Sequence, residues 1–426
     1  MSGLAQIAIH NGAKVSGSDL SLSAETDKLQ KLGAKICLGH HAENITPSIN
    51  LLIHTSAVKE NNPELVKARD LGIQVMERAE FLGIIASGYK KVIAVAGTHG
   101  KTTTTAMLAE IFTLAGRQPT IHLGGESIGL KGNTIIGTDE YFIVEACEYK
   151  ESFRFLRPYI GIITNIEADH LDYYKDYEDI RSAFVRFASR SEKLISLAED
   201  KLIHSDNQTI NDVWAVENVE FTGNGYTFEV YHKGKFFYSF RINMIGRHNV
   251  TNSLFAIATA YECGIAKDII KQSLEKFRGV ERRYEQIYQF SNGCKVIIDY
   301  AHHPTELDAS IKGISDVFSR ILYVFQPHTY TRTKALFGEF LNVLNKIPNL
   351  VIFATYPARE TIVAGGTAMD LYREITYQGE SKNKTTKEYF DEVGDLSDFL
   401  DTVSDNFDCI LVLGAGDLAE KLKKIY

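Results

Sequence analysis

Residues 92–104 read Val92-Ile93-Ala94-Val95-Ala96-Gly97-Thr98-His99-Gly100-Lys101-Thr102-Thr103-Thr104. An apolar run of strand length, Val92–Ala96, enters a loop bounded by two glycines, and a helical pattern follows to about Leu114. Glycines let backbone N–H groups converge on phosphate oxygens, and the helix N-terminus adds its partial positive charge. In such a loop Lys101 reaches the β/γ-phosphates and the Thr102 hydroxyl can ligate Mg²⁺. The strict GxxxxGK[ST] pattern is not met, because Val95 stands at its first glycine; the loop is a shorter GxxGKT. A tight strand-to-helix turn that merely carries Lys-Thr is the bland alternative. The flanking strand and helix favour a phosphate loop made of Gly97, Thr98, His99, Gly100, Lys101, Thr102 and Thr103.

Outward from this loop the chain alternates strand and helix. Before it, short apolar stretches around Val15, Ile36 and Leu51–His54 are separated by helical patterns at Leu22–Leu32 and Pro63–Asp70. After it come Tyr141–Val144, Ile160–Ile163 and Lys193–Leu197 as strands, then a hairpin of Phe228–Tyr231 and Phe236–Ile242 around His232-Lys233-Gly234-Lys235. A helix is expected from about Asn249 to Cys263. Beyond Gly279–Arg283 a third group of strands is Val296–Ile298, Ile321–Phe325, Leu350–Ala354 and Cys409–Leu413. Alternation of this kind predicts α/β architecture with parallel sheets covered by helices. Breaks near 88 and 283 divide it into residues 1–88, 89–282 and 283–426.

Composition narrows the function. The 426 residues carry 54 acidic and 46 basic side chains, a net charge of -8. That balance argues against sequence-independent nucleic-acid binding, which needs a basic surface. The five cysteines, Cys37, Cys147, Cys263, Cys294 and Cys409, show no CxxC spacing, so neither a zinc site nor a disulfide framework is indicated. No apolar run reaches the roughly 18 residues of a membrane helix, and the opening residues lack a secretory signal. A cytoplasmic protein without a membrane partner is expected.

Mg²⁺ at phosphates needs oxygen ligands. Glu145 ends the strand Tyr141–Val144, and a carboxylate there points into the crevice where open α/β sheets bind ligands. The next strand runs into Thr164-Asn165-Ile166-Glu167-Ala168-Asp169-His170, which gives His170 acidic neighbours at a strand end. Asn249 and Asn252 lie three apart at a helix start and share a face; N-capping is the alternative for the pair. Arg283 is either a surface charge or an anion contact. An arginine such as Arg332 suits a carboxylate because its fork donates two parallel hydrogen bonds. The histidines of His302-His303 are either ligand contacts or ordinary loop residues.

With these segments assembled, the chain resembles the Mur ligases, the ATP-dependent amino-acid ligases of bacterial cell-wall synthesis. The matching stretches are GTHGKTTTT (97–105), VEACEYKESF (144–153), TNIEADHLDYY (164–174), GRHNVTNSLFAIA (246–258), VERRYE (280–285) and DYAHHPTEL (299–307). The resemblance implies three domains: a Rossmann-like UDP-sugar domain, a central P-loop ATPase-like parallel sheet with a small hairpin, and a Rossmann-like C-terminal domain. It implies Lys101 at the γ-phosphoryl group, and Thr102 and Glu145 on the Mg²⁺ beside ATP. It carries His170 over as ligand of a second Mg²⁺, Asn252 with Asn249 on adenine, and Arg283 and Asp299 towards ATP, with Asp299 on ribose. Tyr300, His302, His328 and Arg332 are carried over to the substrate pocket, and His302 also to the catalytic set. Ser18, Asp19, Ser56, His99 and His122 are expected to touch the UDP-sugar.

Three features resemble the branch that joins L-alanine to UDP-N-acetylmuramate: Ser16–Asp19 after the first visible strand, DYAHHP with Ala301 where that branch has Gly, and QPHTYTRT with Thr329 where Arg is common. Sister ligases for later residues carry a carbamylated lysine about one helix beyond the DH motif, and 176–192 contains no lysine. A recycling branch that attaches a whole tripeptide to the same UDP-sugar shares most of these motifs, and a catalytically impaired ATP-binding paralogue is a third reading. A monomer or weak homodimer is expected. The family usually opens with a strand and a glycine turn before a segment like Met1-Ser2-Gly3-Leu4-Ala5. Their absence predicts an incomplete first domain, an apolar face of Leu4, Ile7 and Ala8 left uncovered, and weak UDP-sugar binding.

Overall fold

The computed structural model describes residues 1–130, 132–170, 173–196, 213–378 and 387–426. The chain forms two compact units. One comprises Met1–Ile166, Arg181–Asn211 and Ala258–Ile265; the other comprises Glu167–Ile180, Asp212–Ile257 and Ala266–Tyr426. Among the described residues no helix is long and apolar enough to cross a membrane.

The first unit begins with two separate parallel pairs. β1 (Ser16–Asp19) pairs with β2 (Lys35–Leu38), and β3 (Leu51–His54) pairs with β4 (Gln74–Glu77). Local chemistry sets the helices between them. Ser23 and Thr26 form a capping box at the helix Ala24–Lys31, and Asn62 caps Pro63–Asp70 with proline at its first position. One expectation fails here. Leu4 and Ile7 are fully buried, because the helix Ser2–His10 packs against the helix Ala24–Lys31 and against β7 (Gly132–Ile135).

Around the loop 97–103 stands a six-stranded sheet of β5 (Lys91–Ala96), β6 (Thr120–Ser127), β7, β8 (Tyr141–Glu145), β9 (Ile160–Ile163) and β10 (Lys193–Ser196), ordered β10-β9-β5-β8-β6-β7. All its pairings are parallel except β6–β7. β5 is central, which explains its unbroken apolar run: a strand covered on both faces has no polar side to show. Ile93, Ala94, Val95 and Ala96 are wholly buried. The C-terminal ends of β5, β8 and β9 therefore lie side by side, and they carry Gly97, Glu145 and Thr164.

The second unit holds an antiparallel meander and a second six-stranded sheet. The meander, β11 (Trp214–Phe221), β12 (Tyr226–His232) and β13 (Lys235–Ile242), extends the expected hairpin by one strand. The larger sheet contains β14 (Glu285–Gln289), β15 (Lys295–Asp299), β16 (Ile321–Phe325), β17 (Leu350–Phe353), β18 (Lys387–Phe390) and β19 (Cys409–Leu413), ordered β14-β15-β19-β16-β17-β18. β14 is antiparallel and the rest are parallel. Helices bury both faces, with Phe325, Leu344 and Leu371 in one core layer and Val324, Leu400 and Leu422 in the other. The C-terminal ends of β15, β19 and β16 are tied by Gly414 N–H donating to Asp299 O (3.0 Å) and Gln326 N–H to Leu413 O (2.9 Å).

Candidate active site

In the first unit the loop after β5 closes over the end of β9. Gly97 has φ +138°, and a Cβ there would lie 2.0 Å from Thr164 Oγ1, so only glycine fits. Gly100 precedes the helix Lys101–Leu114 with φ +80°. Asn165 clamps the loop: His99 N–H donates to its Oδ1 (2.9 Å), and its Nδ2 donates to His99 O (3.0 Å). Thr98 N–H reaches Asn165 O at 3.1 Å. Sequence reasoning missed Asn165 as a site residue; the Thr-Asn pair directly after an apolar strand was the available signal.

Lys101 is folded back into the loop. Its ammonium donates to Gly97 O, to Thr98 O (3.0 Å) and to the buried Glu148 carboxylate (3.0 Å). Burial alone would lower its pKa, but the Glu148 and Glu145 carboxylates outweigh that and hold it above its ordinary value. Cys147 is pushed up to about 11 by burial and by Glu148, so its thiol stays protonated. Glu145 accepts from the Thr102 hydroxyl at 2.7 Å and from Gly124 N–H at 3.0 Å. Thr102 and Glu145 are thus brought together as hard oxygen donors, the set that Mg²⁺ takes.

The expected UDP-sugar residues of this unit sit in different surroundings. Ser18 donates to Glu64 (2.6 Å) and lies 2.9 Å from His40 Nδ1, with Asn44 donating to the same carboxylate at 2.7 Å. Asp19 and Ser56 are exposed. His122 is buried in β6, 3.0 Å from Thr134 Oγ1, and its pKa is lowered to about 3 by burial, Arg78 and the N-terminal ammonium. Gly3 lies against it: a Cβ there would come within 2.8 Å of the imidazole and 2.1 Å of Thr134 Oγ1.

In the second unit a chain of polar contacts joins the remaining expected residues. Asp169 neighbours His170, which has φ +55°, and pairs with Arg332 at 3.5 Å. Burial would raise the Asp169 pKa, but His170 and Arg332 hold it below its ordinary value. Arg332 also donates to His328 Nδ1 at 3.3 Å, which leaves the His328 proton on Nε2. His328 stacks on Tyr356 and meets His302 edge-on. His302 presents Nδ1 to Tyr300 O (3.0 Å) and to Glu306 (3.2 Å), which places its proton on Nδ1. Burial and Arg332 lower both imidazoles, His302 to about 3 against the pull of Glu306 and His328 to about 4, so both are neutral at pH 7.

Asp299 is buried at the end of β15, where it accepts from Ser310 Oγ (2.9 Å), Ala301 N–H (3.0 Å) and Tyr284 N–H (3.1 Å). Burial raises its pKa against the opposing pull of Arg283 and these donors. Arg283 lies beside the Tyr300 ring and 3.7 Å from Glu306. His303 is the loop residue that caps the helix Pro304–Ser315, accepting from Thr305 N–H. Asn249 and Asn252 are buried together: Asn252 Nδ2 donates to Asn249 Oδ1 (3.0 Å), and Asn249 Nδ2 to Ile245 O (2.8 Å). Asn249 lies one residue inside the helix His248–Glu262 with its amide donating backwards, so it is not an N-cap.

Three family models match the chain: Mur ligase family, catalytic domain, over residues 1–90; Mur ligase middle domain over 95–260; and Mur ligase, glutamate ligase domain, over 282–416. The chain is 43% identical to a UDP-N-acetylmuramate–L-alanine ligase of Clostridium tetani, covering 98% of this chain and 93% of that one. It is 41% identical to the enzyme of that name from Clostridium kluyveri, with the same coverage. Among solved structures, the UDP-N-acetylmuramate–alanine ligase of Thermotoga maritima superposes with a TM-score of 0.82 at 28% identity, covering 100% of this chain and 95% of that one. A murein peptide ligase of Psychrobacter arcticus shares the fold, with a TM-score of 0.71 at 24% identity over 100% of this chain and 96% of that one.

Proposed function

Because this chain belongs to the Mur ligase family, we infer that it is the ATP-dependent ligase that joins L-alanine to the lactoyl carboxylate of UDP-N-acetylmuramate in peptidoglycan precursor synthesis. The observation that carries the choice of substrate is the identity of 40–43% to ligases of that name over 98% of the chain.

The chemistry explains the residues. A carboxylate is a poor electrophile, so γ-phosphoryl transfer from ATP first makes an acyl phosphate. The α-amine of L-alanine attacks the acyl carbon, the tetrahedral intermediate collapses, the amide forms and phosphate leaves. Such a reaction asks the protein for positioning and charge neutralisation. The N–H groups of 97–103 and the helix N-terminus serve the phosphates. Lys101 exchanges the carbonyls of Gly97 and Thr98 for γ-phosphoryl oxygens. Thr102 and Glu145 would hold Mg²⁺, which supplies charge neutralisation at the phosphates; His170 is our candidate for a second Mg²⁺. Asn249 and Asn252 are assigned to adenine, Arg283 and Asp299 to the rest of ATP. Tyr300, His302, His328 and Arg332 are assigned to the substrate, with Ser18, Asp19, Ser56, His99 and His122 serving the UDP-sugar.

Residues 1–88, 89–282 and 283–426 are our division into UDP-sugar, ATP and ligase domains, in a cytoplasmic monomer or weak homodimer. The test is phosphate release dependent on UDP-N-acetylmuramate, with L-alanine and with a cell-wall tripeptide as rival acceptors. L-Alanine should support turnover. A preference for tripeptide would favour the recycling branch, and release with neither would favour an impaired paralogue.

A further inference from the structure

We propose that Glu306 is a positioning residue that sets Arg283 on the ATP side and His302 on the substrate side with a single carboxylate. Glu306 is the third residue of the helix Pro304–Ser315, where a negative charge is favoured by the helix dipole. Its side chain is 10% exposed. One oxygen, Oε2, accepts the backbone N–H of His302 at 3.1 Å and faces the ring Nδ1 of the same residue at 3.2 Å. The other, Oε1, lies 3.7 Å from Nη2 of Arg283. Between them stands Tyr300, whose ring is flanked by the Arg283 guanidinium at 5.4 Å and by the His302 ring at 5.2 Å.

The need for a carboxylate follows from the donors. His302 N–H donates to Oε2, the Nδ1–H of the same residue is held by Tyr300 O at 3.0 Å with Oε2 beside it at 3.2 Å, and the Arg283 guanidinium forms an ion pair with Oε1 at 3.7 Å. A carboxylate only accepts and carries charge on both oxygens, so it suits the His302 N–H on one side and the Arg283 cation on the other; an amide in its place must turn an NH₂ towards one of them in either orientation. The negative charge also stands between a permanent cation and a buried imidazole. Without it, Arg283 loses the carboxylate 3.7 Å from Nη2, and the His302 ring, still in contact with the Tyr300 carbonyl and the His328 ring, loses the anion beside Nδ1. A single carboxylate thus acts on both Arg283 and His302. The roles of Arg283 and His302 rest on the function proposed above.

The test uses the full chain and compares Glu306→Gln and Glu306→Asp with the parent. KM and kcat are measured for ATP, UDP-N-acetylmuramate and L-alanine, with urea unfolding as the check on stability. Glu306→Gln should raise KM for ATP and KM for UDP-N-acetylmuramate or L-alanine together, each fivefold or more, at a near-parental unfolding midpoint. Glu306→Asp keeps the charge and should recover part of both. A rise confined to one side of the reaction, or none, overturns the proposal. A second readout needs no turnover: ¹⁵N-histidine NMR should show a slowly exchanging Nδ1–H on His302 in the parent and rapid exchange in Glu306→Gln. An unchanged signal overturns the proposal as well. If Glu306→Gln does not fold, Glu306→Asp carries both readouts through its shorter reach. If the parent shows no alanine-dependent phosphate release, the functional reading fails and the NMR comparison alone decides on Glu306.

Discussion

Lys101, at the end of the loop after β5, and Glu148 form a buried ion pair, the ammonium 3.0 Å from the carboxylate and the two side chains 14% and 4% exposed. Glu148 sits three residues beyond Glu145, so the end of β8 and the turn that follows it supply one carboxylate to Thr102 and another to the lysine. The lysine's charge is balanced by this carboxylate and by two loop carbonyls, the carbonyls being the partners that phosphates would replace in the function proposed above.

The first prediction concerns the lysine. Lys101→Ala should fold normally but lose turnover by about a hundredfold or more, the scale of about 3 kcal/mol for removing one group aimed at developing charge. Phosphate release with all three substrates measures this, in a variant whose circular dichroism matches the parent. Activity within a few-fold of the parent would remove Lys101 from the mechanism.

A different signature is expected for its partner. Glu148→Gln leaves a buried cation short of its anion, which costs up to roughly 3–5 kcal/mol when nothing else compensates. Gly97 and Thr98 still accept from Lys101, so a loss of about 2 kcal/mol is expected in the nucleotide-free protein. Saturating ADP should shrink that loss, because phosphates replace the missing charge. Urea titrations of both proteins with and without ADP would decide, and a nucleotide-independent loss would contradict the exchange of partners.

Acid should act through His122. Its pKa lies near 3 in the folded chain against 6.5 for the free group, mainly because burial disfavours the cation. A histidine with a lowered folded pKa costs no stability above pH 6.5. As pH falls below that value the unfolded chain takes up the proton first, so stability drops down to about pH 3. The slope is roughly 1.4 kcal/mol per pH unit for one such group, or about 2 kcal/mol between pH 6.5 and 5. Measured by urea unfolding at pH 7.5 and 5, His122→Gln should lose less on acidification than the parent by about that amount. Equal acid sensitivity would show that His122 ionises freely in the folded state.

What the sequence revealed, and what it concealed, follows from how each feature is encoded. β5 and its loop were legible because a strand buried on both faces is apolar throughout and because Gly97, Gly100 and Lys101 are specific residue types at fixed spacing. The same holds for β16 and β19, whose five residues are all buried. β6 was missed because Gly124 and Gly125 interrupt it, and β14 and β18 because edge strands carry polar residues such as Gln286 and Glu388. The pairing of Lys101 with Glu148 spans 47 residues and that of Arg332 with Asp169 spans 163, distances at which local pattern is silent. The burial of Leu4 and Ile7 was misread for the same reason, since the surfaces that cover them come from Ala24–Lys31 and from Gly132–Ile135.

The docking of the first helix supplies the last prediction. Gly3 faces Thr134 and His122 so closely that a Cβ would stand 2.1 Å from the hydroxyl oxygen and 2.8 Å from the ring. Such overlap with groups in a strand cannot be relieved by a long flexible side chain, and overpacking of this kind costs about 1–3 kcal/mol. Gly3→Ala should therefore destabilise the chain by that amount, although alanine is the better helix former in isolation. Thr134→Ala removes the nearer obstacle and also gives up the hydrogen bond to His122. Combined with Gly3→Ala it should recover part of the loss, so the double variant should be more stable than the sum of the single effects by about 1 kcal/mol. Unfolding free energies of the four proteins in urea form the cycle. Strict additivity would show that the helix Ser2–His10 does not rest on Thr134, and with it the route by which this helix is held against β7 would fail.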